Sequence, residues 1–214
     1  MNNLKVTTPF IGHGKGTNVS DVDCFRPGDK VSKHLGSCLP HWNLIGKLQF
    51  ITCRLKDSLP QSKLDFLKEQ KINISTGLHT LSYSDQVEIL ERIDRWLQQG
   101  YGSCIFKFEE VQKIIINALN FYDGKRYDLF QYVVMPNHIH FIVRPYEDLD
   151  KTISQFYRYT TTLINRLLHR KGSIWQRECF DRMIRSVTDF QEKCEYIKAN
   201  PLTFSVSESL IYPE

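Results

Sequence analysis

The stretch "VVMPNHIHFIV" (133–143) decides how this 214-residue chain folds. Two runs of strand-forming residues flank Pro136 and Asn137, which predicts two antiparallel strands joined by a tight hairpin. Their neighbours extend them to Arg126–Met135 and His138–Pro145. The second strand opens on two histidines one residue apart. Residues two apart on a strand share a face, so His138 and His140 project side by side while Ile139 and Phe141 point the other way. Two imidazoles on one face can grip a divalent ion, and a third oxygen or nitrogen ligand would complete an open catalytic site. Spacing alone favours a plainer alternative, two surface histidines on a half-exposed strand, because His-x-His without a third ligand is a weak pattern.

Working outward, "KLQFITCRL" (Lys47–Leu55) reads as a strand ended by "KDSLP". Pro60 and the polar run after it open a mostly helical insertion. Within it, Ser84–Gly100 predicts a helix, with Ser84 as N-cap, Val87, Leu90, Ile93 and Leu97 at helical spacing, and Gly100 as stop. "EEVQKIIINALNFY" (Glu109–Tyr122) is a second amphipathic helix, stopped by "DG". Lys151–Arg170 predicts a basic helix, "DRMIRS" a last short strand, and "SVTDFQEKCEYIKANP" a final helix ended by Pro201. Residues 1–40 show no period and read as an irregular arm. The order strand, helix, strand, strand, helix, strand, helix predicts an α+β fold, an antiparallel sheet with helices on one face. The expected organisation is an N-terminal arm over 1–38, one domain over 39–205 with an insertion at about 57–100, and a tail over 206–214.

Hydrophobic residues make up 41% of the chain, enough for a real core. No run approaches the ~18–20 apolar residues that cross a bilayer. The N-terminus has no apolar run after a basic start, so neither a secretory signal nor a membrane partner is expected, and the expected compartment is the cytoplasm. The six cysteines form no CxxC pair, which argues against a zinc ribbon and for reduced core thiols. A net charge of +4 is compatible with a nucleic-acid partner without identifying one.

The last helix carries a second clue. At 100° per residue, Val187, Phe190, Cys194 and Ile197 fall on one stripe roughly 80° wide, the core face. Tyr196 lies about 140° from its centre, and Asn200 about 40° from Tyr196, one turn along. A tyrosine and an asparagine thus look out together. The plainer alternative is a surface tyrosine and a C-terminal capping asparagine.

Taken in order, "VVMPNHIHFIV", "IWQRECFDRMIRS" and "YIKANP" resemble the REP-associated tyrosine transposases, within the single-tyrosine group of HUH (His-hydrophobic-His) transposases and nucleases. "LPHWNLIGKLQFITCRLKDSLP" (39–60), "WLQQGYGSCIF" (96–106) and "NFYDGKRYDLFQYVVMPNHIHF" (120–141) are similar to that family's pattern, so the resemblance spans most of 39–201. It implies a ferredoxin-like sheet. It implies that His138, His140 and Asn200 hold Mg2+ or Mn2+, and that Tyr196 is the nucleophile. It implies a single-stranded or hairpin DNA substrate, cleaved to a 5′-phosphotyrosine link and a free 3′-OH, with rejoining by reversal. The protein would act as a monomer or homodimer. Two departures stand out. Tyr157 occupies a position where relatives carry a lysine, with Arg158 beside it, and after "NP" the chain continues "LTFSVSESLIYPE" instead of the family's longer pattern.

Tyr157 and Tyr159 suit packing, or stacking on unpaired bases. Lys125, Arg126, Arg144, Lys151, Arg158, Arg166, Arg170, Lys171, Arg177 and Arg182 are candidates for phosphate contacts, although a solvated surface charge is the plainer account of any one of them. Trp175 and Phe180 read as core anchors. Two other functions fit parts of the pattern: a hydrolase that uses the histidines, a metal and a water nucleophile, and a non-catalytic DNA-binding descendant of a transposase.

Overall fold

The structure, a computed structural model, describes residues 4–16, 18–29, 32–35, 40–69, 83–177 and 179–203. The expected tail over 206–214 lies outside them. β5 (Tyr127–Val134) and β6 (His138–Pro145) form the hairpin. Val134 pairs with Ile139 and Val133 with His140. The Met135 N–H closes the turn on the His138 carbonyl at 2.9 Å. On the other side of β6 lies β4 (Gln49–Arg54), with Thr52 opposite His140 and Arg54 opposite His138. β7 (Phe180–Met183) flanks β4. With α3 (Glu109–Tyr122) leading into β5 and α4 (Leu149–Leu167) crossing from β6 to β7, the order β5-β6-β4-β7 is the ferredoxin-like split arrangement.

The N-terminal segment departs from the expected irregular arm. β1 (Phe10–His13) pairs antiparallel with β5 and makes the sheet five-stranded. Without it, the edge of β5 would present a row of unpaired backbone groups. Gly12 permits the close fit, since a Cβ there would lie 2.2 Å from the Tyr132 ring. β2 (Ser32–Leu35) and β3 (Pro40–Asn43) form a separate two-stranded ladder.

Apolar burial sorts the two faces of the sheet. Ile51, Cys53, Ile139, Phe141 and Val143 pack with Val111, Ile115 and Leu119 of α3 and with Ile153 and Phe156 of α4. Trp175 is buried there too, its Nε1–H donating to Thr160 Oγ1 at 2.9 Å. The opposite face is covered as well. α5 (Val187–Thr203) lays Phe190, Cys194 and Ile197 against Phe130, Val133 and Ile142, which is the stripe expected from the periodicity. A bulge between Leu129 and Gln131 adapts β5 to this helix. Phe130 meets Phe190 edge-on at 5.6 Å, and Gln131 Nε2 donates to the Cys194 carbonyl at 3.3 Å. The helices are therefore not confined to one face. α5 also runs past Pro201 to Thr203, because a proline this near a helix end forfeits little beyond one backbone bond.

The insertion supplies α1 (Gln61–Glu69) and α2 (Tyr83–Leu97), the latter starting one residue before the expected Ser84 cap. Ile89, Ile93 and Leu97 of α2 pack with Leu59, Leu67 and Phe180 in a small core of their own. Among the described residues the cysteines are free thiols, and no helix is long and apolar enough to cross a membrane.

Candidate active site

His138 is fully buried at the start of β6. Its Nδ1 lies 2.7 Å from the Asn137 side-chain oxygen. The Asn137 amide nitrogen donates at 3.1 Å to the carbonyls of both Leu97 and Tyr101, so its oxygen is the atom turned to the histidine. That arrangement places the proton on His138 Nδ1 and leaves Nε2 as the bare, basic atom. Burial, then the neighbouring His140, hold the His138 imidazolium well below the ordinary histidine value, with the Asn200 side chain opposing them. His138 is therefore neutral, as a metal ligand must be.

His140, also fully buried, is oriented from the next strand: its Nδ1 lies 2.8 Å from Thr52 Oγ1. Its ring stacks on Phe50 at 5.2 Å and meets His138 edge-on at 4.7 Å. The Nε2 atoms of both histidines are buried without a hydrogen-bond partner. Such atoms are costly unless something coordinates them.

The third donor comes from the insertion. Asp94 of α2 brings Oδ1 to 3.4 Å from His140 Nε2, and one ligand atom each from Asp94, His138 and His140 lie within 4.8 Å of one another. Two imidazole nitrogens and a carboxylate oxygen are a donor set that suits a divalent cation, so the residues fit such an ion. Sequence reasoning missed Asp94. In "ERIDRWLQ" it is indistinguishable from a solvated helix acid, and only its place four residues before Gln98, off the Ile89–Ile93–Leu97 stripe, marks a second, half-buried face.

Asn200 is 1% exposed and does reach the site. Its side-chain oxygen accepts from Gln98 of α2, and its amide nitrogen donates to the Tyr196 carbonyl at 3.3 Å. Tyr196 is half-buried, its ring 5.4 Å from His140 and 5.9 Å from Phe50. Its hydroxyl is buried without a hydrogen-bond partner. Tyr196, Asp94, Thr52 and Phe50 line one cleft of about 330 Å³ between α2, α5, β4 and β7. The four residues singled out in the sequence thus come together; of the pair on α5, Tyr196 lines this cleft and Asn200 is buried beside it.

The candidate DNA contacts divide. Arg144 is held by Asp128 at 2.6 Å and Asp23 at 2.5 Å, and Arg126 by Glu147 at 2.8 Å, so both serve the fold. Tyr157 stacks on Trp175 at 4.9 Å with its hydroxyl buried, the packing role of its two alternatives. Lys125 lies 3.7 Å over the Phe121 ring. Lys151, Arg158, Tyr159, Arg166, Lys171 and Arg177 are exposed, and Arg170 is half-buried. Arg158 and Arg177 share a shallow groove with Lys56 and Trp175. Arg182 alone of the set lines the cleft of Tyr196.

No family model and no curated protein matches the chain. Among solved structures it is similar to one described as the REP-associated tyrosine transposase bound to a REP hairpin, at 17% identity, with 78% of this chain and 74% of that chain covered and a TM-score of 0.42.

Proposed function

We propose that this protein is a divalent-metal-dependent endonuclease and strand transferase acting on single-stranded DNA, a tyrosine transposase in activity. One observation carries the reading: the Tyr196 hydroxyl, buried and unpartnered, opens on the same cleft as Asp94 beside two buried histidines with bare Nε2 atoms. The family resemblance of the sequence motifs adds the substrate class, a hairpin with a single-stranded flank.

His138, His140 and Asp94 would hold Mg2+ or Mn2+, with Asn200 beside them. When bound, the ion supplies charge neutralisation at the scissile phosphate and the attacking oxygen. Asn137 and Thr52 fix the two imidazoles so that each presents Nε2. Tyr196 Oη attacks phosphorus, the bond from phosphorus to the 3′ oxygen breaks, and the proton lost by the phenol ends on the released 3′-OH. The phosphotyrosine ester conserves the bond energy, so a 3′-OH can attack it, restore a phosphodiester and return the proton to Tyr196.

Incubating the protein with labelled single-stranded hairpin oligonucleotides and Mn2+, then running a denaturing gel, tests this. A covalent adduct is expected, absent with EDTA and in Tyr196→Phe. Cleavage that persists in Tyr196→Phe would instead identify a hydrolase with a water nucleophile. Hairpin binding with no adduct under any condition would identify a DNA-binding protein without catalysis.

A further inference from the structure

The cations of this chain are unevenly spread. Between Asp150 and Glu178 it holds six lysines and arginines and no acid, more positive charge than the net +4 of the whole chain. This run comprises α4 and the segment that returns along the end of β4. Leu55 bridges Trp175, the Lys56 N–H donates to the Ile174 carbonyl at 2.8 Å, and the Gln176 N–H to the Arg54 carbonyl at 2.9 Å. α4 and the returning segment line one open groove.

Lys56, Arg158 and Arg177 are exposed and line this groove, and none of the residues that line it is an acid. Among the described residues no ion pair engages any of the three. Asp57, beside Lys56 in the sequence, turns its carboxylate to the Ser103 N–H at 2.9 Å. Ser154 and Thr161 stand on the Arg158 face of α4, short side chains that leave room for a backbone to approach. Like charges gathered on one open surface attract a polyanion.

The floor decides between paired and unpaired nucleic acid. Trp175 is 2% exposed, its ring stacked on Tyr157 at 4.9 Å and flanked by Phe106 at 4.9 Å and Phe156 at 5.5 Å. A single strand is gripped by exposed rings on which its bases stack, and here the indole is already covered. Charge without an open indole face suits the phosphates of a duplex, whose bases are stacked on one another. One stretch of chain joins the groove to the catalytic cleft: Thr52 lines the cleft and Lys56 the groove. Four residues of extended backbone span roughly 13 Å.

Resting on the nuclease reading above, we infer that the groove between α4 and residues 172–177 docks base-paired DNA by its phosphates through Lys56, Arg158 and Arg177, while the unpaired flank runs to the cleft of Tyr196.

Two DNAs test this. In Tyr196→Phe, which forms no adduct, a fluorescent fully paired hairpin and a non-self-complementary single strand of equal length are titrated by anisotropy over a series of KCl concentrations. Lys56→Gln, Arg158→Gln and Arg177→Gln combined are expected to weaken hairpin binding roughly tenfold or more. The slope of log affinity against log salt should fall by about 2.7, the value for three lost contacts to a duplex. Single-strand affinity should change far less. Arg158→Lys, which keeps the charge, should leave hairpin binding nearly intact. Circular dichroism establishes that each variant is folded. Unchanged hairpin affinity and slope in the folded triple variant overturn the groove, even where the parent chain forms its adduct. An equal loss for both DNAs overturns its assignment to a duplex. Loss of the hairpin slope alone, in a chain that never forms an adduct, leaves the groove standing and removes the nuclease reading.

Discussion

Asp94 brings a carboxylate to Nε2 of His140, a ring that Thr52 holds in place through the other nitrogen, Nδ1. Asp94→Asn keeps the shape and removes the charge. We expect it to weaken Mn2+ binding by about 10–100-fold, read as a smaller rise of melting temperature with added Mn2+ or by calorimetry. Asn200→Ala should cost less, because the Asn200 oxygen is already shared with Gln98. Strand and helix periods placed His138 with His140 and Tyr196 with Asn200 on shared faces but favoured plain surface roles for both pairs, and it was the family resemblance that singled the four out as a site. Asp94 was not among them, since its role depends on where an inserted helix lands, and no local period encodes that.

At the scale of elements, the end of α2 clamps the site through three contacts: Asp94 to His140, the Leu97 carbonyl to Asn137, and Gln98 to Asn200. Asn137 is the joint. It is wholly buried, and its side chain makes one hydrogen bond to Leu97 at the end of α2, one to Tyr101 in the loop that follows, and one to His138. At 0.5–1.5 kcal/mol net for each bond, Asn137→Ala should lower stability by about 2–3 kcal/mol, measured by urea unfolding. The hairpin and α3 were legible because alternation, amphipathic spacing and the Asp123–Gly124 stop agree. β1 was not: four residues including a glycine carry no period, and only the open edge of β5 makes them a strand. The cover on both sheet faces was also hidden, because the period of α5 marks which side of the helix is buried and not which face of the sheet it meets.

For the molecule as a whole, pH acts through buried His138. Its folded-state value lies below the ordinary one, so at mildly acid pH the unfolded chain binds the extra proton. Stability from this group is therefore complete above about pH 6.5 and is lost progressively as pH falls below it, toward the lower folded-state value. Thermal melts in EDTA from pH 8 to 5 should show this decline, flattened in His138→Gln. Added Mn2+ should steepen it, since protons and metal compete for the same nitrogen. The modest charge of +4 said little about partners because it is an average. Folding spends Arg144 and Arg126 on internal carboxylates and directs Arg182 and Lys193 into one cleft.

The edge strand has a consequence in time as well as space. Phe10 meets Val134 across more than half the chain. Closing so long a loop is entropically costly, whereas β5 and β6 close over a short turn. On the ribosome, the N-terminal segment emerges long before any partner exists for it. β1, made well before its partner strand, is therefore expected among the last to dock, onto a hairpin that carries the two histidines.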